Sequence, residues 1–240
     1  MNPRSRTTAV VLAGGRGTRL ADTLPDIPKA LAEVSGRPFV RILLDRLEHF
    51  GIRRVVMCTG YLGRLVREAL GDRHGALRLA YSQEESPLGT AGALGHARDL
   101  LQSDPVLVLN GDSYCHTDLE RFFTWFQGHS ADAGLVLTRV ADTGRYGRVK
   151  ADSAGVIMSF SEKTADSRPG LINAGIYLIR QRLVETIPRD TACSLETDIF
   201  PALAGSRLAG WATHDAFIDI GTRESFLKAP AFFANLGGQP

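Results

Sequence analysis

Two short runs, Thr7-Thr8-Ala9-Val10-Val11 and Val106-Leu107-Val108-Leu109, are apolar or β-branched at consecutive positions rather than alternate ones. Such a strand has no solvent face and must be covered on both sides, the situation of a central strand in a parallel sheet. The segments between them supply the cover. Pro38 stands where a first helical residue is expected. Val40, Leu43, Leu44 and Leu47 then follow the i, i+3, i+4, i+7 spacing, and Gly51 is placed to stop that helix. Arg54-Val55-Val56-Met57-Cys58 reads as a second strand, Leu62 to Leu70 as a helix closed by Gly71, and Leu77-Arg78-Leu79-Ala80-Tyr81 as a third strand. Thr90 is positioned to cap a helix reaching about Leu101. This βαβα order predicts an α/β fold, a doubly wound and mainly parallel Rossmann-like sheet. Ligands then belong at the carboxyl ends of the strands. Three polar clusters follow strands there: Gly14–Arg19, Gln83–Gly92 and Asn110–Ser113.

The second half changes character. Strand-like pieces at Gly134–Val140, Gly147–Ala151, Val156–Phe160 and Leu171–Arg180 are joined by short turns, with no Pro/Ser-rich linker and no internal repeat. The 240 residues suit one large domain, with halves over about 7–115 and about 116–226.

Composition removes several classes of function. Net charge is +2 with no basic block, so nucleic acid is not expected as a partner. No run approaches the roughly 18–20 apolar residues of a membrane span. Arg4 and Arg6 precede only a short apolar stretch that Gly14 interrupts, too brief for a signal sequence. A cytoplasmic location is expected. Cys58, Cys115 and Cys193 form no CxxC pair and read as small core residues in a reducing compartment. The histidines show no metal-ligand spacing.

The first polar cluster is the most specific. Leu12-Ala13-Gly14-Gly15-Arg16-Gly17-Thr18-Arg19-Leu20, with Pro28-Lys29 beyond it, can set bare backbone N–H groups against an anion. Arg16, Arg19 and Lys29 add positive charge and Thr18 a hydroxyl donor. This is a polyphosphate grip. It is not a P-loop, which needs a Gly-Lys-Ser/Thr ending. Nor is it the dinucleotide fingerprint, because Leu20 fills the place of the third glycine.

Gly14-Gly15-Arg16-Gly17-Thr18-Arg19-Leu20 with Pro28-Lys29 resembles the opening of the sugar-1-phosphate nucleotidyltransferases, and the likeness extends from about Thr8 to Phe226. That resemblance implies a GT-A-like nucleotidyltransferase fold, with a mixed sugar-binding second half on the same sheet. It also implies transfer of a nucleoside monophosphate from an NTP to a sugar 1-phosphate, with release of pyrophosphate. With the sequence ending at Pro240, the β-helical extension that some members carry is not expected.

Such a transfer must bring two anions together, so a divalent cation and basic side chains are expected. Asp112, in Leu109-Asn110-Gly111-Asp112, and Asp219, in Phe217-Ile218-Asp219-Ile220-Gly221, match the family's aspartates. Two strand-end carboxylates suffice for Mg²⁺. The resemblance puts Arg16 on the departing pyrophosphate, Lys29 near the α-phosphate and Lys163 on the attacking phosphate. Leu12, Ala13, Gly14, Gly15, Gly17, Thr18, Arg19 and Gly111 complete the nucleotide loop. Gln83-Glu84-Glu85-Ser86-Pro87-Leu88-Gly89-Thr90-Ala91-Gly92 resembles the base-recognition segment, in which Gln83, Glu84, Gly89, Thr90, Ala91 and Gly92 would face the nucleotide. Glu84 or Glu85 would accept from guanine N1–H and N2–H₂. On the sugar side stand Tyr146-Gly147, Glu162-Lys163 and Asn173-Ala174-Gly175. Glu196 either touches the sugar or interacts with the N-terminus of the helix that follows.

Pro-Leu-Gly-Thr-Ala-Gly, Arg145-Tyr146-Gly147-Arg148-Val149 and Ile172-Asn173-Ala174-Gly175-Ile176-Tyr177 resemble the guanylyl-transferring branch that acts on a heptose 1-phosphate. GTP and a heptose 1-phosphate are therefore the expected substrates. Thr164, where many hexose-specific relatives carry proline, favours the same branch. A hexose or N-acetylmuramate 1-phosphate with GTP, UTP or dTTP is the alternative. A non-catalytic paralogue and a glycosyltransferase stand further off, since Asp112-Ser113-Tyr114 does not supply an Asp-x-Asp. The resemblance leaves room for a homo-oligomer.

Overall fold

A computed structural model describes residues 3–15, 27–161 and 168–237. The first strand is Thr8–Ala13 (β1), followed by a small hairpin of Glu33–Val34 (β2) and Arg37–Pro38 (β3). Helix Phe39–Phe50 (α1), strand Arg54–Thr59 (β4) and helix Gly63–Leu70 (α2) come next. Arg73–His74 (β5), Leu77–Gln83 (β6), helix Gly89–His96 (α3) and Val106–Asn110 (β7) complete the alternation. Ser113–Cys115 (β8), helix Leu119–Gln127 (α4) and Ala133–Val140 (β9) lead into the second half. There Arg148–Ala151 (β10), Ile157–Ser161 (β11) and Gly170–Ile179 (β12) precede helices Gln181–Thr186 (α5) and Phe200–Leu203 (α6). Leu208–Thr213 (β13), Phe217–Asp219 (β14) and helix Arg223–Asn235 (α7) end the described chain.

The main sheet runs β11-β10-β12-β7-β1-β4-β6-β5, with β9 on the other edge of β12 and β13 beyond β9. β7, β1, β4 and β6 are mutually parallel, as the apolar runs predict. β12 enters antiparallel to β7 and carries the second half onto the same sheet. Burial on both faces is visible residue by residue. Ala9, Val11, Val55, Met57, Leu107 and Leu109 point into the core under α1, α4 and α7. Val10, Val56, Cys58, Val106 and Val108 point into the opposite core, under α3, α5 and α6.

Two local expectations are corrected. Pro38 is the cap residue rather than the first helical one, because it pairs with Glu33 in the β2–β3 hairpin before α1 starts. Thr90 does not cap α3. That helix begins a residue earlier at Gly89, whose φ of +72° a side chain would resist, and ends at His96 in place of about Leu101. A separate 3₁₀ turn covers Arg98–Leu100. Among the described residues no helix is long and apolar enough to cross a membrane.

Candidate active site

Two cavities meet over the carboxyl ends of β1, β4 and β7. The first, about 320 Å³, is lined by Leu12, Ala13, Gly14 and Gly15 from the end of β1, together with Cys58, Glu84, Pro87, Gly89 and Gly111. The second, about 350 Å³, is lined on the other side by Arg145, Tyr146, Gly147, Asn173, Glu196 and Asp219, among others. Lys29, Thr90, Asn110 and Asp112 belong to both. One wall is therefore common to the two cavities.

Gly111 makes the junction close. Its N–H donates to the Leu12 carbonyl at 2.9 Å, and a Cβ there would lie 2.7 Å from that same oxygen. Only glycine lets the ends of β1 and β7 come so near. Asp112 follows at once and forms an ion pair with Lys29, while its carbonyl accepts the Ile220 N–H at 2.8 Å. β14 pairs with β8 in the register Asp219↔Ser113, which sets Asp219 beside Asp112 although 107 positions separate them in sequence. A Cβ on Gly221 would lie 2.7 Å from Asp219 Oδ1 and 3.2 Å from Lys29 Nζ, so a side chain there would crowd the space between the Asp219 carboxylate and the Lys29 ammonium. Asp219 also accepts from Tyr146 Oη at 2.5 Å, from the Gly221 N–H at 2.8 Å and from Arg145. Burial and the Asp219 carboxylate push the Tyr146 phenol up, so it stays a donor.

Glu84 lies over two glycines: a Cβ on Gly14 or Gly60 would come within 2.8 Å or 2.7 Å of its Oε1. Its Oε2 accepts the Leu88 N–H at 3.2 Å. Burial raises its pKa above the ordinary 4.5, with the Leu88 hydrogen bond opposing. Cys58, in the same wall, has its thiol pushed up to about 12 by burial and is inert.

The other predicted nucleotide contacts divide. Gln83 is exposed and its side chain packs by Gly63, away from the cavity. Ala91 and Gly92 turn from it as well, both donating to the Cys193 carbonyl, at 3.0 Å and 2.9 Å. They join the two halves rather than line the pocket. Thr90 does line it, yet its hydroxyl donates to Glu196 at 2.6 Å and accepts the Leu195 N–H at 2.8 Å. Glu196, in a π-turn over Leu195–Ile199, also accepts from Ser194 Oγ at 3.0 Å and Tyr177 Oη at 3.1 Å. Most of its acceptor capacity is thus used by the protein. Asn173 donates to Tyr177 Oη at 2.8 Å at the irregularity that interrupts β12. Arg16, Gly17, Thr18, Arg19, Glu162 and Lys163 lie outside the described residues.

Sequence reasoning placed Asn110 in a strand-end polar cluster but gave it no role of its own; it lines both cavities, and its buried Oδ1 has no hydrogen-bond partner among the described residues. A polar side chain ending the wholly apolar β7 was the available signal. Among the described residues no three His, Cys, Asp or Glu side chains cluster as a closed metal centre. The donor set is instead two carboxylates, each already facing a cationic side chain. That suits a hard divalent cation completing its shell on phosphate and water.

Residues 8–235 match the family described as nucleotidyl transferase, and the chain belongs to that family. It is an enzyme of the nucleotidyltransferase class. It is 34% identical over 227 residues to a mannose-1-phosphate guanylyltransferase of Mycobacterium tuberculosis, covering 93% of this chain and 63% of that protein. It is 31% identical over 218 residues to the D-glycero-α-D-manno-heptose 1-phosphate guanylyltransferase of Campylobacter jejuni, covering 91% of this chain and 96% of that one. The crystal structure of HddC from Yersinia pseudotuberculosis superposes with a TM-score of 0.84 at 32% identity, over 95% of this chain and 99% of that one. The same protein has been solved with GMP-PN.

Proposed function

We propose that the chain transfers the guanylyl group of GTP to D-glycero-α-D-manno-heptose 1-phosphate, giving GDP-heptose and pyrophosphate. The observation that carries this reading is the wall of Lys29, Thr90, Asn110 and Asp112 shared by two cavities, since the reacting phosphates must meet where the two ligands do. A phosphate oxygen of the sugar 1-phosphate attacks the α-phosphorus of GTP. The bond from that phosphorus to the bridging oxygen breaks, and pyrophosphate leaves with the electron pair.

Each residue has a task in that geometry. Glu84 accepts from the guanine N–H edge, over the flat floor at Gly14 and Gly60. Lys29 holds the α-phosphate at the junction, and Asn110 presents a fixed amide beside it. Asp112 and Asp219 would hold Mg²⁺, and the charge neutralisation that such an ion supplies would ease the approach of the two anions. On the sugar side Tyr146, Gly147 and Asn173 orient the substrate, while Glu196 fixes the wall between the two spaces. Arg16 and Lys163, by resemblance, meet pyrophosphate and the attacking phosphate.

The guanylyl-transferring relatives and the GMP-PN complex of HddC support GTP. A mannose 1-phosphate reading is favoured by the mycobacterial relative. Pyrophosphate release across GTP, UTP, ATP and dTTP, each crossed with heptose, mannose and glucose 1-phosphates, separates these readings. GTP with the heptose is expected to give the highest kcat/KM. A higher value for mannose 1-phosphate would retain the guanylyl donor and overturn the sugar, and a best rate with UTP or dTTP would overturn the base.

A further inference from the structure

Asp219 is the more crowded of the two paired aspartates. Its Oδ1 accepts the Gly221 N–H at 2.8 Å and Ser225 Oγ at 3.3 Å, and its Oδ2 accepts Tyr146 Oη at 2.5 Å. One nitrogen of the Arg145 guanidinium then spans both oxygens, at 3.2 Å and 3.1 Å. A carboxylate offers about four lone-pair sites. All are occupied.

The four donors are not equally held. Gly221 donates from the backbone just after β14, and Ser225 sits in the capping box of α7. The Tyr146 ring packs edge-on against Phe217 at 5.6 Å. These three are neutral and anchored. Arg145 is charged, is 40% exposed against 15% for Asp219, and stands in the turn between β9 and β10. Among the described residues it also meets Ser225 Oγ at 3.4 Å and the face of Tyr146 at 5.5 Å, and it lies in the field of the exposed Glu224 carboxylate. A divalent cation can reach Asp219 only by displacing a donor. The donor that leaves at least cost is the exposed one, whose charge the incoming ion replaces and would otherwise repel.

We propose that Arg145 is an exchangeable counter-cation of Asp219. The guanidinium holds the carboxylate until a divalent cation takes its place, and is then released inside the sugar-side cavity that it lines. This rests on the reading that Asp219 is a metal ligand. Metal entry and the freeing of Arg145 are thus a single event, and the free protein binds metal less tightly than the bare carboxylate pair would.

Mn²⁺ binding to the full chain without nucleotide, followed by electron paramagnetic resonance, tests this apart from turnover. Wild type, Arg145→Met, Arg145→Lys, Asp219→Asn and the Arg145→Met/Asp219→Asn double variant are compared, each checked by circular dichroism. Arg145→Met is expected to bind Mn²⁺ roughly two- to fivefold more tightly, the size of a half-exposed ion pair. Arg145→Lys, which keeps the positive charge on a shorter side chain and gives up the guanidinium's stacking on Tyr146, falls between it and wild type. Asp219→Asn binds more weakly, and on that background Arg145→Met brings no gain, because nothing remains to unblock. An affinity that Arg145→Met leaves unchanged or lowers overturns the exchange. A gain that persists alongside Asp219→Asn also overturns it, since that would be long-range charge alone. An affinity that Asp219→Asn leaves unchanged overturns the metal reading beneath it.

Discussion

Asp112 and Asp219 look alike in sequence but carry different structural loads. Asp112 is 42% exposed and its side chain is tied to Lys29, whereas Asp219 anchors Tyr146, Gly221 and Ser225. Asp112→Asn should therefore melt close to wild type, while Asp219→Asn should melt lower, having weakened the acceptor of a half-buried phenol. Both should lose turnover at saturating substrates by at least about a hundredfold, equivalent to ~3 kcal/mol of charge stabilisation. Steady-state rates with thermal melts on the same preparations check both halves of this expectation. Glu84 gives a pH signature. Its raised pKa means that protonation begins above the ordinary 4.5 as pH falls. Guanine affinity should then weaken on acidification earlier than an exposed glutamate would allow. Glu84→Gln should bind guanine nucleotides more weakly and lose that part of the pH dependence, read as the ratio of wild-type to variant Kd, which cancels phosphate titration. For stability the sign is the reverse: the raised pKa contributes below 4.5, and that contribution is lost as pH climbs through the raised value.

At the scale of elements, α3 is unusual in carrying glycines on the face that meets the second half. A Cβ on Gly92 would lie 2.4 Å from the Thr191 carbonyl, and one on Gly95 would lie 2.5 Å from the Pro188 carbonyl. Helix propensity alone would have Gly→Ala stabilise by up to about 1 kcal/mol. Here backbone cannot yield as a side chain can, so Gly92→Ala and Gly95→Ala should each destabilise by ~1–3 kcal/mol. Denaturant melts decide the sign. The same helix marks where sequence reading stopped. β1, β4 and β7 were legible because unbroken apolar runs have few alternatives, and α1 because its apolar stripe and Gly51 agree. Thr90 misled because a threonine ahead of a helix usually caps it, whereas its hydroxyl is taken by Glu196, 106 residues away. β8 and β14 are three residues each and exist only as partners of one another, so neither has a periodicity to read. β13 has no legible pattern, because Gly210 and Trp211 break it. Of the site, Asp112, Asp219, Lys29, Glu84, Tyr146 and Asn173 were legible from motifs. The shared wall was not, because it is a property of pairing between distant strands.

For the whole molecule, β12 is decisive. Its Ile176–Ile179 stretch pairs with β7, its Leu171–Ile172 stretch with β10, and its other edge with β9. No cut between the halves spares the sheet. Calorimetric and van't Hoff enthalpies of unfolding should therefore agree, as for a single cooperative unit. Separately expressed segments 1–115 and 116–240 should each fail to give a sharp melt. The pairing also has a consequence for synthesis on the ribosome. Until β12 emerges, about 70 residues after Leu109, the edge of β7 that Ile176–Ile179 will cover has no partner, and Val106–Leu109 are wholly apolar. At about 5–20 residues per second, a newly made chain carries that open edge for roughly 4–14 s. An unpaired apolar edge is a template for the wrong strand. The apolar Val106–Leu109 run thus waits several seconds for its β12 partner in every round of translation, and slow codons between Leu109 and Gly170 would lengthen that wait.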